Sequence, residues 1–88
     1  MLMNIGAQVR LSTRFAPLDY TTEEPVECIS LYHVIPGPGR IVHASATFYR
    51  GDLAIILEHA HESVGWCKII LGSGKVGWCE ENWLEEIA

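Results

Sequence analysis

Two histidines in the second half of the chain are the residues best suited to chemistry. His59 and His61 lie two positions apart, so in an extended segment their side chains would point to the same side. Imidazole nitrogens bind zinc, and Glu58 or Glu62 would add a carboxylate. Two histidines fall short of a full ligand set, so the sequence predicts a polar loop with no metal or other cofactor. A metal-binding protein is the third of three functions considered.

The three cysteines, Cys28, Cys67 and Cys79, are the other reactive side chains. An odd number cannot pair completely within one chain, so no disulfide framework is predicted. Cys67 and Cys79 fall on strands predicted to be neighbours and would face each other, but they lack the close spacing of structural zinc ligands. We expect all three to be reduced, small apolar core residues of a cytoplasmic protein.

No arrangement of side chains in the sequence predicts catalysis. Nucleophilic catalysis needs a nucleophile, a base that activates it and a group that orients the base. No such combination of Cys, His and Asp or Asn is recognisable here, and the pairs Glu80-Glu81 and Glu85-Glu86 are typical of a solvated surface. The sequence therefore predicts that the protein is not an enzyme.

Length and charge exclude several classes of function. The 88 residues fit one domain, 1–88, and a domain this small has a thin margin of stability. A net charge of −5 disfavours nonspecific binding to nucleic acid or to an anionic membrane, because both require clusters of Lys and Arg. No apolar run reaches the length of a transmembrane helix, and the first residues lack the pattern of a signal peptide. We expect a cytoplasmic protein without nucleic-acid or membrane partners.

Three short β-runs organise residues 48–87. An apolar run at 52–58, opened by Gly51-Asp52, predicts a buried strand. The next strand, 65–71, alternates, with its outward side carrying Trp66 and Lys68 and its core side carrying Cys67, Ile69 and Leu71. A glycine-rich turn then leads to a strand in which Trp78 is expected to pack into the sheet or core. One 3₁₀ turn at 80–82 and a last strand at 83–87 follow.

The first half of the chain predicts one strand, one loop and one hairpin. The strand spans 5–11, and the turn-rich segment 12–25 reads as a long exposed loop. The hairpin joins 26–35 to 40–49 through Pro36-Gly37-Pro38-Gly39. Alternation predicts that the core face of this hairpin consists of Ile29, Leu31, Ile35, Val42, Ala44, Ala46 and Phe48.

The pattern of residues 48–87 resembles the C-terminal half of an SH3 domain and, equally, of a bacterial SH3-like domain. The resemblance is carried by Gly51-Asp52 before an apolar run, by Gly65-Trp66-x-Lys68, and by Gly77-Trp78-x-x-x-x-Trp83-Leu84-Glu85-x-Ile87. Upstream, Ala16-Pro17-Leu18-Asp19-Tyr20 is similar to the Ala-Leu-Tyr-Asp-Tyr segment of eukaryotic SH3 domains. The resemblance implies an all-β fold, a small SH3-like barrel of about five to seven strands with an enlarged N-terminal hairpin.

The same resemblance implies a set of partner-binding residues. SH3 domains bind extended, often proline-rich, peptides in an aromatic groove. Trp66 corresponds to the groove tryptophan, and Trp83 to the aromatic residue near the last strand. Asn82 matches the polar residue that precedes that aromatic, and Tyr20 matches the aromatic of the first loop. Glu80 stands where the family usually has proline and completes the candidate set.

These observations predict a noncatalytic protein-interaction module of the adaptor type. It would bind a protein or peptide partner through the Trp66/Trp83 face or by strand pairing at the hairpin. The alternative is a small structural subunit of a larger assembly, a cellular complex or a phage particle, which includes homo-oligomers. A binding module should be a stable monomer, whereas an assembly subunit should self-associate. The identity of the partner and the recognition of polyproline are not specified by the sequence.

Overall fold

The computed structural model describes residues 3–61 and 63–87, which form one antiparallel sheet of seven strands. The strands are β1 (Gln8–Leu11), β2 (Cys28–Tyr32), β3 (Ala44–Tyr49), β4 (Ala54–His59), β5 (Trp66–Leu71), β6 (Val76–Glu80) and β7 (Leu84–Glu86). A 3₁₀ turn, Glu81–Trp83, links β6 to β7. Within the described residues, no helix is long and apolar enough to span a bilayer. The all-β class predicted from the sequence is confirmed.

The sheet curls around a single core to give a half-barrel. The strand order is β3-β2-β6-β5-β4-β1-β7, so the first strand lies between β4 and the last strand. Every strand contributes to one cluster of buried side chains, which consists of Val9, Leu11, Ile29, Leu31, Ala46, Phe48, Ala54, Ile56, Cys67, Ile69, Cys79 and Leu84. Burial of this apolar surface is the main favourable term that the fold offers against chain entropy.

Strand alternation assigns the core faces largely as the sequence predicts. In β1 and β5 predicted inward residues such as Ile69 are fully buried, but Leu71, which the sequence also predicts on the core face, ends its strand and is only half-buried. In β4, which the apolar run predicts to be buried throughout, only Ala54 and Ile56 are buried, while Ile55 is 40% exposed. The sheet is covered on its inner face alone, so a period of two selects which residues of the run reach the core.

Strands β2 and β3 pair as an antiparallel hairpin, but each is shorter than predicted. Pairing runs from Cys28 opposite Tyr49 to Tyr32 opposite Ala44, with a register shift after Leu31. This bulge reverses the alternation beyond it, because an extra residue moves each following side chain to the other face. Ala44 is consequently exposed, although alternation predicts it in the core. Ile35 and Val42 lie outside the strands and are half-buried.

One narrow contact joins this hairpin to the rest of the sheet. β2 pairs with β6 at a single position, Tyr32 opposite Trp78. Beside it, the Ser45 hydroxyl donates a hydrogen bond to the Val76 carbonyl at 2.8 Å. A Cβ placed on Gly77 would lie 2.5 Å from both Leu31 Cβ and Ser45 Oγ. The two halves of the fold therefore approach each other as closely as the absence of a side chain at position 77 permits.

The segment 12–25 contains no strand, as the sequence predicts, but it is anchored at both ends. Ala16 is buried, and the pair Leu18–Pro25 forms an isolated bridge. The Arg50 guanidinium donates a hydrogen bond to the Val26 carbonyl at 2.7 Å. The loop tip between these anchors is exposed.

Candidate functional site

The outer face of the β5–β6 hairpin carries the candidate binding residues. In this pair Trp66 lies opposite Glu80, and Lys68 lies opposite Trp78. The Glu81 N–H donates to the Gly65 carbonyl at 2.8 Å, which places both of these pairs at positions where the two strands exchange no hydrogen bonds. Side chains approach most closely at such positions. Lys68 Nζ accordingly lies 5.8 Å from the centre of the Trp78 ring, a cation–π distance.

A row of side chains extends this face across four strands. Glu58 of β4 is the partner of Lys68, and Tyr32 of β2 is the partner of Trp78. The middle of the row is half-buried at Lys68, Trp78 and Tyr32. The rings of Trp78 and Tyr32 therefore keep part of their surface available. We call this surface the outer row, defined by Glu58, Lys68, Trp78 and Tyr32 together with Trp66 and Glu80. Its two carboxylates and one ammonium make it mildly acidic.

A shallow pocket of about 250 Å³ opens at the side of this row. Its walls consist of Ile35, Glu58, His59, Ala60, His61 and Trp78. Trp78 thus forms part of an accessible surface, whereas the sequence predicts that it packs into the sheet or core. The signal that identifies it is alternation within β6: Cys79 is fully buried, so its neighbour must lie on the opposite face.

The structure brings part of the predicted binding set together at one end of the outer row. Trp66 and Glu80 are cross-strand partners, and the exposed Asn82 follows Glu80 within the 3₁₀ turn. The hydrogen bond from Glu81 to Gly65 fixes that turn against the start of β5. Trp83, by contrast, is half-buried and packs against the hydrophobic core.

Tyr20 is placed apart from this group. Its side chain is fully exposed at 101%, at the tip of the 12–25 loop. Within the described residues, the hydrogen bonds of residues 17–24 all remain inside the 17–26 segment. The Thr21 hydroxyl donates to Asp19 at 2.6 Å and lowers the pKa of that carboxyl. The loop conformation is thus local, and the sequence resemblance alone links Tyr20 to the site.

The two histidines are held differently from each other. His59 Nε2 lies 2.5 Å from the Met3 carbonyl, so this nitrogen donates a hydrogen bond to the N-terminal segment. The other ring nitrogen is buried, 3.8 Å from Glu81 Oε1. His61 is exposed in the following loop, and Glu62 lies outside the described residues. Across residues 3–61 and 63–87, no cluster of three or more His, Cys, Asp or Glu side chains is arranged to hold a metal.

The buried carboxylate Glu81 is a residue that sequence reasoning treats as surface. It is 5% exposed and accepts a hydrogen bond from the Met3 N–H at 2.6 Å. Together with His59 it fastens the N-terminal segment to the 3₁₀ turn beside the outer row. A Glu-Glu pair gives no sequence signal that distinguishes the buried member from the exposed one, because their difference depends on what packs against the turn.

The cysteines divide into one exposed thiol and two buried ones. Cys67 and Cys79 are cross-strand partners with no exposed surface, whereas Cys28 is exposed. The prediction that all three lie in the core is therefore wrong for Cys28, because Ile29 takes the inward position of β2 and alternation turns Cys28 outward. The hydrogen bond with the Cys67 thiol and burial both raise the pKa of Cys79. Buried thiols with raised pKa values are poor nucleophiles.

We therefore expect one rapidly reacting thiol per chain in the native protein, that of Cys28. Reaction with a chromogenic disulfide reagent near neutral pH should give one fast equivalent, and the remaining two should appear only in denaturant. A Cys28→Ser variant is the control and should show no fast phase. Fast reaction of Cys67 or Cys79 in the native state would contradict the buried arrangement.

Comparison with known proteins identifies no relative for this chain. It matches no family model, no curated protein sequence and no solved structure.

Proposed function

We propose that this protein is a noncatalytic interaction module that binds a protein or peptide partner through the outer row. The observation that carries the proposal is the set of half-exposed rings, Trp66, Trp78 and Tyr32, aligned on one face of a rigid sheet. Aromatic side chains bury large areas at low entropic cost, which suits them to interfaces.

The fold that we propose for this module is an SH3-like barrel with an enlarged N-terminal hairpin, in a cytoplasmic protein. It is supported by the chain order of β4, β5 and β6, then one 3₁₀ turn, then the short β7. It is supported further by the pairing of β1 with both β4 and β7, which joins the chain's first strand to its last. In this proposal the β2–β3 hairpin is the additional element.

The chemistry of the outer row defines the partner. The pocket beside Trp78 has Ile35 and Ala60 among its walls and suits an apolar side chain of the partner. The carboxylates of Glu58 and Glu80 suit a basic side chain of the partner next to that apolar one. The proposed partner is therefore an extended segment that contains both an apolar and a basic residue.

Replacing Trp66 by alanine tests the proposal. Dodecamer peptides selected from a random phage-displayed library on the wild-type protein serve as the probe. The variant should bind these peptides about tenfold more weakly or worse, because a large aromatic side chain contributes much of the energy of an interface. Fluorescence anisotropy of labelled peptides measures the affinity.

The matched control is Val64→Ala, which changes a 94% exposed apolar residue two positions earlier. Circular dichroism should show that both variants stay folded, and the control should bind as the wild type does. Equal binding by Trp66→Ala and wild type would overturn the proposed site.

A structural subunit of a larger assembly is the second candidate. It is favoured by large apolar side chains exposed in the N-terminal connections, with Phe15 at 67% and Ile41 at 79%. A subunit of an assembly would bury these side chains against its neighbours. Sedimentation of the protein alone separates the two candidates: a concentration-independent monomer supports the binding module, and self-association supports the subunit.

A further inference from the structure

A second concave surface lies away from the outer row, where the curled sheet leaves a gap. This cleft has a volume of about 630 Å³. One wall is the second half of β3, and the other consists of the β3–β4 turn and the β5–β6 turn. Its lining includes Thr47, Tyr49, Asp52, Leu53, Leu71 and Lys75. We call this feature the edge cleft.

The β3 wall of the edge cleft is an unpaired strand edge. β3 is the outermost strand of the sheet on this side, and no described strand pairs with its outer edge. The Arg50 N–H donates to the Glu27 carbonyl at 2.7 Å. Counting back along the antiparallel register, Phe48 and Ala46 bond to β2, whereas Thr47 directs its N–H and C=O away from it. Both main-chain groups of Thr47 therefore face the cleft side.

Tyr49 is the next residue whose main-chain groups point away from β2, and its hydrogen-bonding groups are only partly used. Its carbonyl accepts a hydrogen bond from the Asp52 N–H at 3.0 Å, which closes the turn after β3. Its own N–H lies 3.4 Å from Asp52 Oδ2, a long contact. A stronger acceptor that entered the cleft would take this donor and leave the turn intact. The edge thus offers the N–H groups of Thr47 and Tyr49 and the carbonyl of Thr47.

The side chains around this edge are suited to an uncharged extended chain. Leu53 and Leu71 supply aliphatic surface, and Tyr49, which is 55% exposed, supplies an aromatic one. Asp52 and Lys75 contribute one charge of each sign, so the cleft has no net charge. Main-chain donors and acceptors beside aliphatic walls are the elements of recognition by strand addition.

We propose that the edge cleft binds an extended peptide segment with aliphatic side chains, which pairs antiparallel with β3. One residue of the segment exchanges two main-chain hydrogen bonds with Thr47, and the carbonyl of another accepts from the Tyr49 N–H. Its side chains rest on Leu53 and Leu71. A single segment is favoured over a second copy of this protein, because the cleft of about 630 Å³ is bounded by two turns and is far smaller than a folded domain.

The test uses a protein variant that lacks one of the three aromatic rings of the outer row, so that the two proposals fail independently. Dodecamer peptides are selected from a random phage-displayed library on the Trp66→Ala variant. Amide hydrogen exchange of the wild-type protein is then measured by NMR with and without a selected peptide. In the free protein, Ala46 and Phe48 should be protected and Thr47 should exchange fast. With peptide, exchange at Thr47 and Tyr49 should slow at least tenfold.

Two substitutions of Thr47 distinguish the contribution of its main-chain N–H to binding from that of its side chain. Thr47→Pro removes the outward N–H, and edge strands accept proline there because the sheet does not use that donor. It should weaken peptide binding by about tenfold or more. Thr47→Val keeps the N–H, removes the hydroxyl and should bind as the wild type does. The exchange experiment on wild-type protein does not depend on the folding of either variant.

Three outcomes would overturn the proposal. Peptides that perturb only Trp78 and Tyr32 would place binding on the outer row. Protection of Thr47 that rises with protein concentration and needs no peptide would identify a second copy as the occupant. Failure to select any peptide that slows exchange at Thr47 would leave the edge without a ligand of this class.

Discussion

Replacing Phe48 by alanine is expected to lower the free energy of unfolding by about 3–5 kcal/mol. Phe48 has no exposed surface and is one of the largest side chains of the core. It lies on β3 opposite Ile29 of β2, within the cluster to which every strand contributes. Truncation removes its transfer free energy and leaves a cavity that β3, which is hydrogen-bonded along its length to β2, cannot close.

The expected loss is a large part of the total free energy of unfolding of a domain of this size, because typical values are roughly 0.05–0.15 kcal/mol per residue. Thermal unfolding followed by circular dichroism should show a decrease of more than about 12 °C in Tm. The matched control is Tyr49→Ala, which removes an aromatic ring from the next residue but on the exposed side of the same strand. It should cost less than about 1 kcal/mol. Similar losses for the two variants would mean that the inner face is wrongly assigned.

Replacing Gly77 by alanine is expected to destabilise the protein by about 1–3 kcal/mol, the range of overpacking substitutions. The added methyl group would lie 2.5 Å from Leu31 Cβ and from Ser45 Oγ, so the β2–β3 hairpin must move away. The main chain near Leu31 is also close, with its carbonyl carbon 3.3 Å from the new atom. Since β2 and β6 pair at only one position, this shift would weaken the contact that connects the two halves of the fold.

Chemical denaturation measures the cost, and amide exchange in β2 and β3 shows where it falls. Gly72→Ala is the control: it lies in the adjacent turn, has no heavy atom within 4 Å of the added methyl, and does not have a positive φ. It should be neutral or slightly stabilising, since alanine restricts the unfolded chain. Equal effects at the two glycines would show that the contact with Leu31 and Ser45 does not constrain the fold.

The half of the fold that follows Phe48 is readable from sequence because its signals are local. Glycine turns and alternation in 65–71 identify β5, its buried face and the hairpin that follows. The outward position of Trp66 follows from the same period of two. The 3₁₀ turn begins one residue later than predicted, at Glu81.

The candidate site is only partly predictable from the sequence, because sequence signals act over a few positions and some of its residues meet through long-range pairing. Trp66, Glu80 and Asn82 are close in the hairpin and its following turn, so pairing of neighbouring strands brings them together. Trp78 requires knowledge of which face the core covers, and Tyr32 reaches it only through the β2–β6 pairing. That pairing connects residues far apart in sequence, and no local pattern specifies it.

By itself, the sequence determined that the chain forms β-strands, where most of them lie and which side of most strands is apolar. Those properties depend on turn residues and on side-chain alternation, which act over a few positions. Tertiary structure alone decided that a bulge turns Ala44 outward, that Glu81 is buried beneath Met3, and that β3 is left with an open edge. Each depends on which distant strand packs against which, and hence on the sum of many long-range contacts rather than on any local preference.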